Sequence, residues 1–211
     1  MHFRAVCCTA FLLAGASAHA GDVDAMATTS AGQPLEDAAV ALEPVAGYAR
    51  GPLPTVTIAQ RDRELIPYMT VVQTGTAIEF PNQDPFKHHL YSFSPAKTFE
   101  IKLYAGKPEK PIVFDKPGEV ALGCNIHDWM EAYVLVVDTP YFAKTDAKGR
   151  AHIAHVPPGS YRLRWWHPRE KRELAARTVK VGAAPLRLTQ ALDVSPRVVK
   201  PKPPLDKDQH Y

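Results

Sequence analysis

Apolar residues in this chain alternate with polar ones over short stretches, and nowhere keep up a helical period. Residues 55–59 (Thr-Val-Thr-Ile-Ala) alternate and predict a strand. Strands at 69–72 and 77–80 flank a turn at Thr74-Gly75, and another at 90–93 follows a polar loop. Strands at 111–114 and 119–123 flank Lys116-Pro117-Gly118, and 132–137 closes this set. Before it, residues 21–44 read as strand, turn (Ala31-Gly32-Gln33-Pro34) and a short apolar strand at 38–42. Residues 48–54 read as a linker. After it, Thr145-Asp146-Ala147-Lys148-Gly149 is a turn, followed by strands at 151–156, 161–165, 178–181 and 186–192. Strands this short with turns this frequent predict an all-β chain built of sandwiches or barrels. Twenty prolines against 12 glycines suit such an edge-rich fold. Residues 195–211 are rich in Pro and Lys, lack an apolar pattern, and are expected to be a disordered or extended tail.

The first twenty residues read as an address. Met1-His2-Phe3-Arg4 is a short basic start, an apolar run follows, and Ala18-His19-Ala20 is a small-x-small cleavage site. The run is shorter than the roughly 20 residues that span a bilayer, and no later segment approaches a membrane span. A signal peptide over 1–20 implies export to the periplasm. It removes Cys7 and Cys8, so the mature chain keeps Cys124 alone and forms no internal disulfide. Cys124 is then a buried inert thiol, an intermolecular link or a metal-bound thiolate. The mature charge, 24 basic against 22 acidic side chains, is not that of a nucleic-acid-binding protein.

The chemistry concentrates in Gly123-Cys124-Asn125-Ile126-His127-Asp128-Trp129-Met130, between two predicted strands. Thiolate, imidazole and a weak thioether are the ligands of a blue-copper electron-transfer site, which needs a second imidazole. The loop Asn82-Gln83-Asp84-Pro85-Phe86-Lys87-His88-His89 offers two. Successive side chains of a strand face opposite sides, so His88 and His89 would diverge.

Pro67, Val72, Gly75, Ile78, Phe80, Asn82, Asp84, His88 and Leu90, then Pro117, Gly118, Cys124, His127 and Met130, resemble the cupredoxin pattern over residues 55–137. The two-residue gaps between Cys, His and Met are similar to amicyanin rather than plastocyanin. The whole layout resembles the proteins labelled methylamine utilization proteins. This resemblance implies a Greek-key sandwich with one type 1 copper per chain, held by His88, Cys124, His127 and, as a long axial ligand, Met130. Its spacing from Asp84 favours His88 over His89, and it places Phe80 and Leu90 in the core beside the metal. It also marks a departure: His89 stands where many cupredoxins carry an Asn that braces the two ligand loops.

Gly32-Gln33-Pro34-Leu35-Glu36-Asp37-Ala38-Ala39-Val40-Ala41-Leu42 and the later run from Thr145 through Tyr161 to Leu163 resemble a carboxypeptidase-regulatory-like (prealbumin-like) β-sandwich. The cupredoxin unit at 55–137 is therefore expected inside, or followed by, a small sandwich made of 22–48 and 138–194. Trp129 reads as a lid over the metal. One of Trp165 and Trp166 is expected in the second unit's core and the other at the interface. His152, His155 and His167 lack persuasive spacing for a second metal, so no enzyme is expected. The expected function is one-electron transfer with a redox partner such as a cytochrome c or a dehydrogenase. A copper carrier or sensor and a scaffold module are the alternatives.

Overall fold

Burial along β1 (Gly21–Thr29) follows its sequence: Val23, Ala25 and Ala27 are buried, while Asp24 and Met26 face outward. One face therefore enters a core and the other meets solvent. The same logic runs through the whole computed structural model, which describes residues 20–49, 51–202 and 204. The chain is all-β, as its pattern predicts, with no helix among the described residues. The signal-peptide segment, apart from Ala20, lies outside the described residues.

The strands after β1 are β2 (Ala39–Pro44), β3 (Val56–Thr57), β4 (Ala59–Arg61), β5 (Glu64–Ile66), β6 (Met69–Gln73), β7 (Thr76–Glu79), β8 (His88–Ser94) and β9 (Lys97–Tyr104). Then come β10 (Ile112–Phe114), β11 (Gly118–Cys124), β12 (Glu131–Val137), β13 (Phe142–Lys144), β14 (Arg150–Val156), β15 (Gly159–Trp166), β16 (Arg177–Val181) and β17 (Leu186–Leu192).

Two groups of sheets result. A five-stranded sheet β6-β12-β11-β8-β9 and a three-stranded sheet β10-β7-β3 enclose one core, with the hairpin β4-β5 beside them. Its centre holds Ile78, Phe80, Leu90, Phe114, Val120 and Val134, all essentially inaccessible. The sheets β14-β1-β17 and β13-β2-β15-β16 enclose the other core. β1 and β2 precede residues 55–137 in the chain yet pair only with strands that follow them, β1 running antiparallel to β14 and parallel to β17. A third apolar cluster, with Ala39, Ala41, Met69, Leu135, Val137 and Trp166 at its centre, joins the two groups. Neighbouring positions on β15 face opposite sides, so Trp165 enters the β1/β2 core and Trp166 this junction.

Two local readings differ from the pattern. Residues 55–59 do not form one strand. Ile58 is fully buried and donates its N–H to Glu79 O (2.9 Å), and the chain then leaves the β7 edge for the β4-β5 hairpin. β9 and β13 were not anticipated. Phe99 and Ile101 of β9 pack on the core, while Lys97, Glu100 and Lys102 lie outside it. The tail beyond β17 is extended as far as it is described. The Arg197 guanidinium lies 4.0 Å from the Tyr68 ring centre, and Lys200 Nζ donates to Asp128 O (2.7 Å). Among the described residues no helix is long and apolar enough to cross a membrane.

Candidate metal centre

Cys124 ends β11, and the loop 125–130 turns the chain into β12. The loop is closed by its own backbone: Met130 N–H donates to His127 O (2.9 Å), and Cys124 N–H donates to Met130 O (3.3 Å). His88 opens β8, the neighbour of β11 in the sheet, with Leu90 in register with Cys124. Asn125 N–H donates to His89 O (3.0 Å) and joins the two loops. Strand pairing thus brings residues 36 apart in the chain to one end of the first core.

The result is a buried triangle of donor atoms. His88 Nδ1 and His127 Nδ1 are 3.1 Å apart, and Cys124 Sγ is 3.8 Å from each. Metal bonds of about 2.0 Å to imidazole nitrogen and about 2.3 Å to thiolate sulfur place such donors roughly 3–4 Å from one another. The residues therefore fit a metal at the triangle's centre. Among the described residues this is the group of three or more metal-ligating side chains the structure assembles. Met130 is buried beside Cys124 in the same apolar cluster.

Electrostatics act on the three donors in different directions. Asp84 Oδ2 lies 2.8 Å from His88 Nε2, and both side chains are essentially out of solvent. A proton on Nε2 pointing at a carboxylate leaves the Nδ1 lone pair facing the triangle. Burial works against a charged His88, but the Cys124 sulfur and the Asp84 carboxylate outweigh it and raise its pKa. Burial likewise opposes the Cys124 thiolate. His88 and the backbone N–H groups of His89, Ile126 and His127 favour it more, so its pKa falls. Burial, with His88 nearby, pushes His127 down to about 4, which leaves it a free base at neutral pH.

An aromatic wall surrounds the triangle. The Phe86 ring centre lies 5.3 Å from that of His88 and 5.8 Å from that of His127, and Trp129 lies 5.1 Å from His127. Trp129 is partly buried on the core, and its Nε1–H donates to Arg63 O (3.2 Å). Phe80 and Leu90 are both buried in the core behind the site.

Other candidates stand apart. His89 turns away to Glu100 Oε1 (2.8 Å). His152 pairs with Asp24 on the exposed face of β14, and His155 is also exposed. His167 is buried, with Nε2 3.2 Å from Glu36 O and Nδ1 accepting from Arg169 N–H (3.0 Å). It ties chain segments together and faces no other ligand. In the sequence Asp84 served only to mark His88 by its spacing, and neither its bond to that ring, nor Phe86, nor the β4-β5 hairpin was anticipated. The available signal was Asp84 itself, four residues before His88.

No family model and no curated protein sequence matches the chain. Solved structures similar to part of it are cupredoxin proteins. The Cu-containing nitrite reductase (NirK) from Thermus scotoductus SA-01 is 26% identical with a TM-score of 0.39. That match covers 46% of this chain and 26% of the reductase, so the chain spans about a quarter of that enzyme. A purple cupredoxin from Nitrosopumilus maritimus is 19% identical, TM-score 0.35, over 39% of this chain and 99% of that protein. Amicyanin from Paracoccus versutus is 15% identical, TM-score 0.34, over 46% of this chain and 97% of that protein.

Proposed function

We propose that this chain is an exported copper protein that passes single electrons through one type 1 site. His88, Cys124 and His127 are the equatorial ligands and Met130 is the weak axial one. The observation that carries the reading is the triangle of Nδ1, Nδ1 and Sγ at metal-ligand spacing, buried at the end of a β core. Copper held there supplies a Cu(II)/Cu(I) couple suited to a thiolate and imidazole set.

The chain's own contribution is rigidity and exclusion of water. His88 sits on a strand and is oriented by Asp84. Cys124 and His127 are locked by the closed loop, so the donors move little when one electron enters or leaves. Three equatorial ligands and a weak axial one are the set of a blue-copper electron-transfer site, and this supports a carrier of electrons rather than an enzyme. We assign the cupredoxin unit to 55–137 and a small sandwich to 22–48 with 138–194, supported by the pairing of β1 and β2 with strands that follow β12. The proposed location is the periplasm, from the leader over 1–20. The proposed partner is a redox protein such as a cytochrome c or a dehydrogenase.

The test is to purify the protein from Gly21 onward, add Cu(II), and record visible spectrum and metal content beside Cys124→Ser. One copper per chain with an intense thiolate-to-copper band, lost in the variant, is the expected result. Retained copper without the band points to a carrier or sensor. No retained copper sinks the metal reading and leaves a scaffold.

A further inference from the structure

The two ligand loops, joined by the Asn125–His89 backbone bond, are also linked through a hairpin outside both of them. The hairpin β4-β5 turns through two residues, Asp62 and Arg63, with Arg61 paired to Glu64. Both turn residues have positive φ, 55° and 57°, a conformation that two-residue hairpins require and that usually selects Asn or Gly. Non-glycine residues hold it where surrounding contacts over-determine it. Those contacts lead to the metal centre on both sides.

On one side the two turn amides converge on a single carboxylate. Asp62 N–H donates to Asp84 Oδ1 (2.7 Å) and Arg63 N–H to Asp84 Oδ2 (3.0 Å). The same Oδ2 holds His88 Nε2. On the other side Arg63 O accepts the Trp129 indole N–H, and the Arg63 guanidinium lies 5.6 Å from the Trp129 ring centre. Trp129 sits in the chain between His127 and Met130 and packs on the His127 ring.

We infer that the Asp62–Arg63 turn is a brace that spaces the two imidazole ligands, hooked to the His88 loop through Asp84 and to the His127 loop through Trp129. Asp84 and Trp129 are positioning residues: neither supplies a ligand atom, and each sets the orientation of one that does. The brace belongs to a hairpin outside both ligand loops, so it holds their separation as well as each ring's tilt. The inference rests on the copper reading for its purpose, though not for its mechanics.

The mechanics are tested in the metal-free protein. Asp84→Asn places an amide NH₂ against the Arg63 N–H and His88 Nε2–H. By NMR it should speed hydrogen exchange of the Asp62 and Arg63 amides and also of the Trp129 indole N–H, which Asp84 does not touch. Unchanged indole exchange overturns the brace. With copper bound, Asp84→Asn and Trp129→Phe should each release metal to a chelator about tenfold faster, the lower end for residues that orient ligands. The double variant should match the singles rather than reach the hundredfold of independent sites. Additive losses overturn the brace as well. A wild-type protein that takes up no copper overturns the copper reading alone, and the indole exchange still decides the brace.

Discussion

Asp84 Oδ2 stands 2.8 Å from His88 Nε2 and turns that ring so that its Nδ1 faces Cys124 and His127. A surface carboxylate paired with a histidine contributes little. This one is out of solvent and also receives two backbone amides. Burial raises its pKa, but the His88 hydrogen bond and then the two amides outweigh it and hold the pKa below the usual range. The geometry of the donor triangle is therefore supported from outside the two ligand loops.

A metal that binds the folded chain and not the unfolded one is a stabilising ligand. With free copper about 100-fold above its dissociation constant, stability should rise by about 2.7 kcal/mol. For a chain of this size that is roughly 5–10 °C in Tm. Chelation should reverse the gain, and His127→Ala should abolish it. Differential scanning fluorimetry with and without copper is the measurement, and an equal gain in His127→Ala would place the metal elsewhere.

Two titrating groups lie side by side near the junction and act in opposite directions. Burial, helped by Glu119 and Glu173 and opposed by Arg164, raises Glu170 from 4.5 to about 7. The folded chain then holds a proton that the unfolded chain lacks. Its stabilisation is complete below about pH 4.5 and is lost as pH rises to 7. Burial lowers His167 from 6.5 to about 4, with Arg169 contributing. That stabilisation is complete above pH 6.5 and is lost as pH falls to 4. Glu170→Gln should therefore remove about 1 kcal/mol of the loss between about pH 5 and 7.5, allowing for solvent screening. Urea titrations at both pH values read it. Identical slopes for wild type and variant would show that Glu170 does not titrate in this range.

Trp166 is the large aromatic of the junction and is almost fully buried between the two groups of sheets. Trp166→Ala should cost about 3–5 kcal/mol, as for other buried large aromatics. It should also split one unfolding transition into two, because Trp166 is the largest buried side chain of the apolar cluster that joins the cores at Phe114 and Leu163. Calorimetry distinguishes this from a simple loss of stability within one transition.

Gly149 closes the turn from Asp146 at φ 73°, and its N–H donates to Asp146 O. A Cβ there would lie 2.4 Å from Ala27 O and 3.1 Å from Leu35 N. Gly149→Ala should cost about 1–3 kcal/mol, from the positive φ and the backbone collision together. The loss should appear in chemical denaturation. A near-neutral result would mean that β1 shifts to make room.

Local pattern carried a large part of this protein. Short apolar runs between turns marked β6, β7, β11, β12, β14 and β15 to within two residues. β7, β11 and β14 alternate because one face enters a core, while β6 and β12 are buried on both faces. The same rule separated Trp165 from Trp166, and the spacing of Cys124, His127 and Met130 put three soft or borderline donors on one loop.

Tertiary structure alone decided what stands next to what. Gln60-Arg61-Asp62-Arg63-Glu64 is polar throughout and lacks the Asn or Gly that announces a hairpin turn. Its turn is held by a carboxylate twenty-one residues beyond Arg63, which no local signal contains. The spacing from Asp84 singled out His88 over His89, but not what surrounds either ring. One is buried against Cys124 and the other paired with Glu100 because β8 takes its register from β11 and β9. Chain-local chemistry supplies the donor atoms. Their convergence to within 4 Å depends on strand register, which is set by burying whole faces at once and so is written in no single segment.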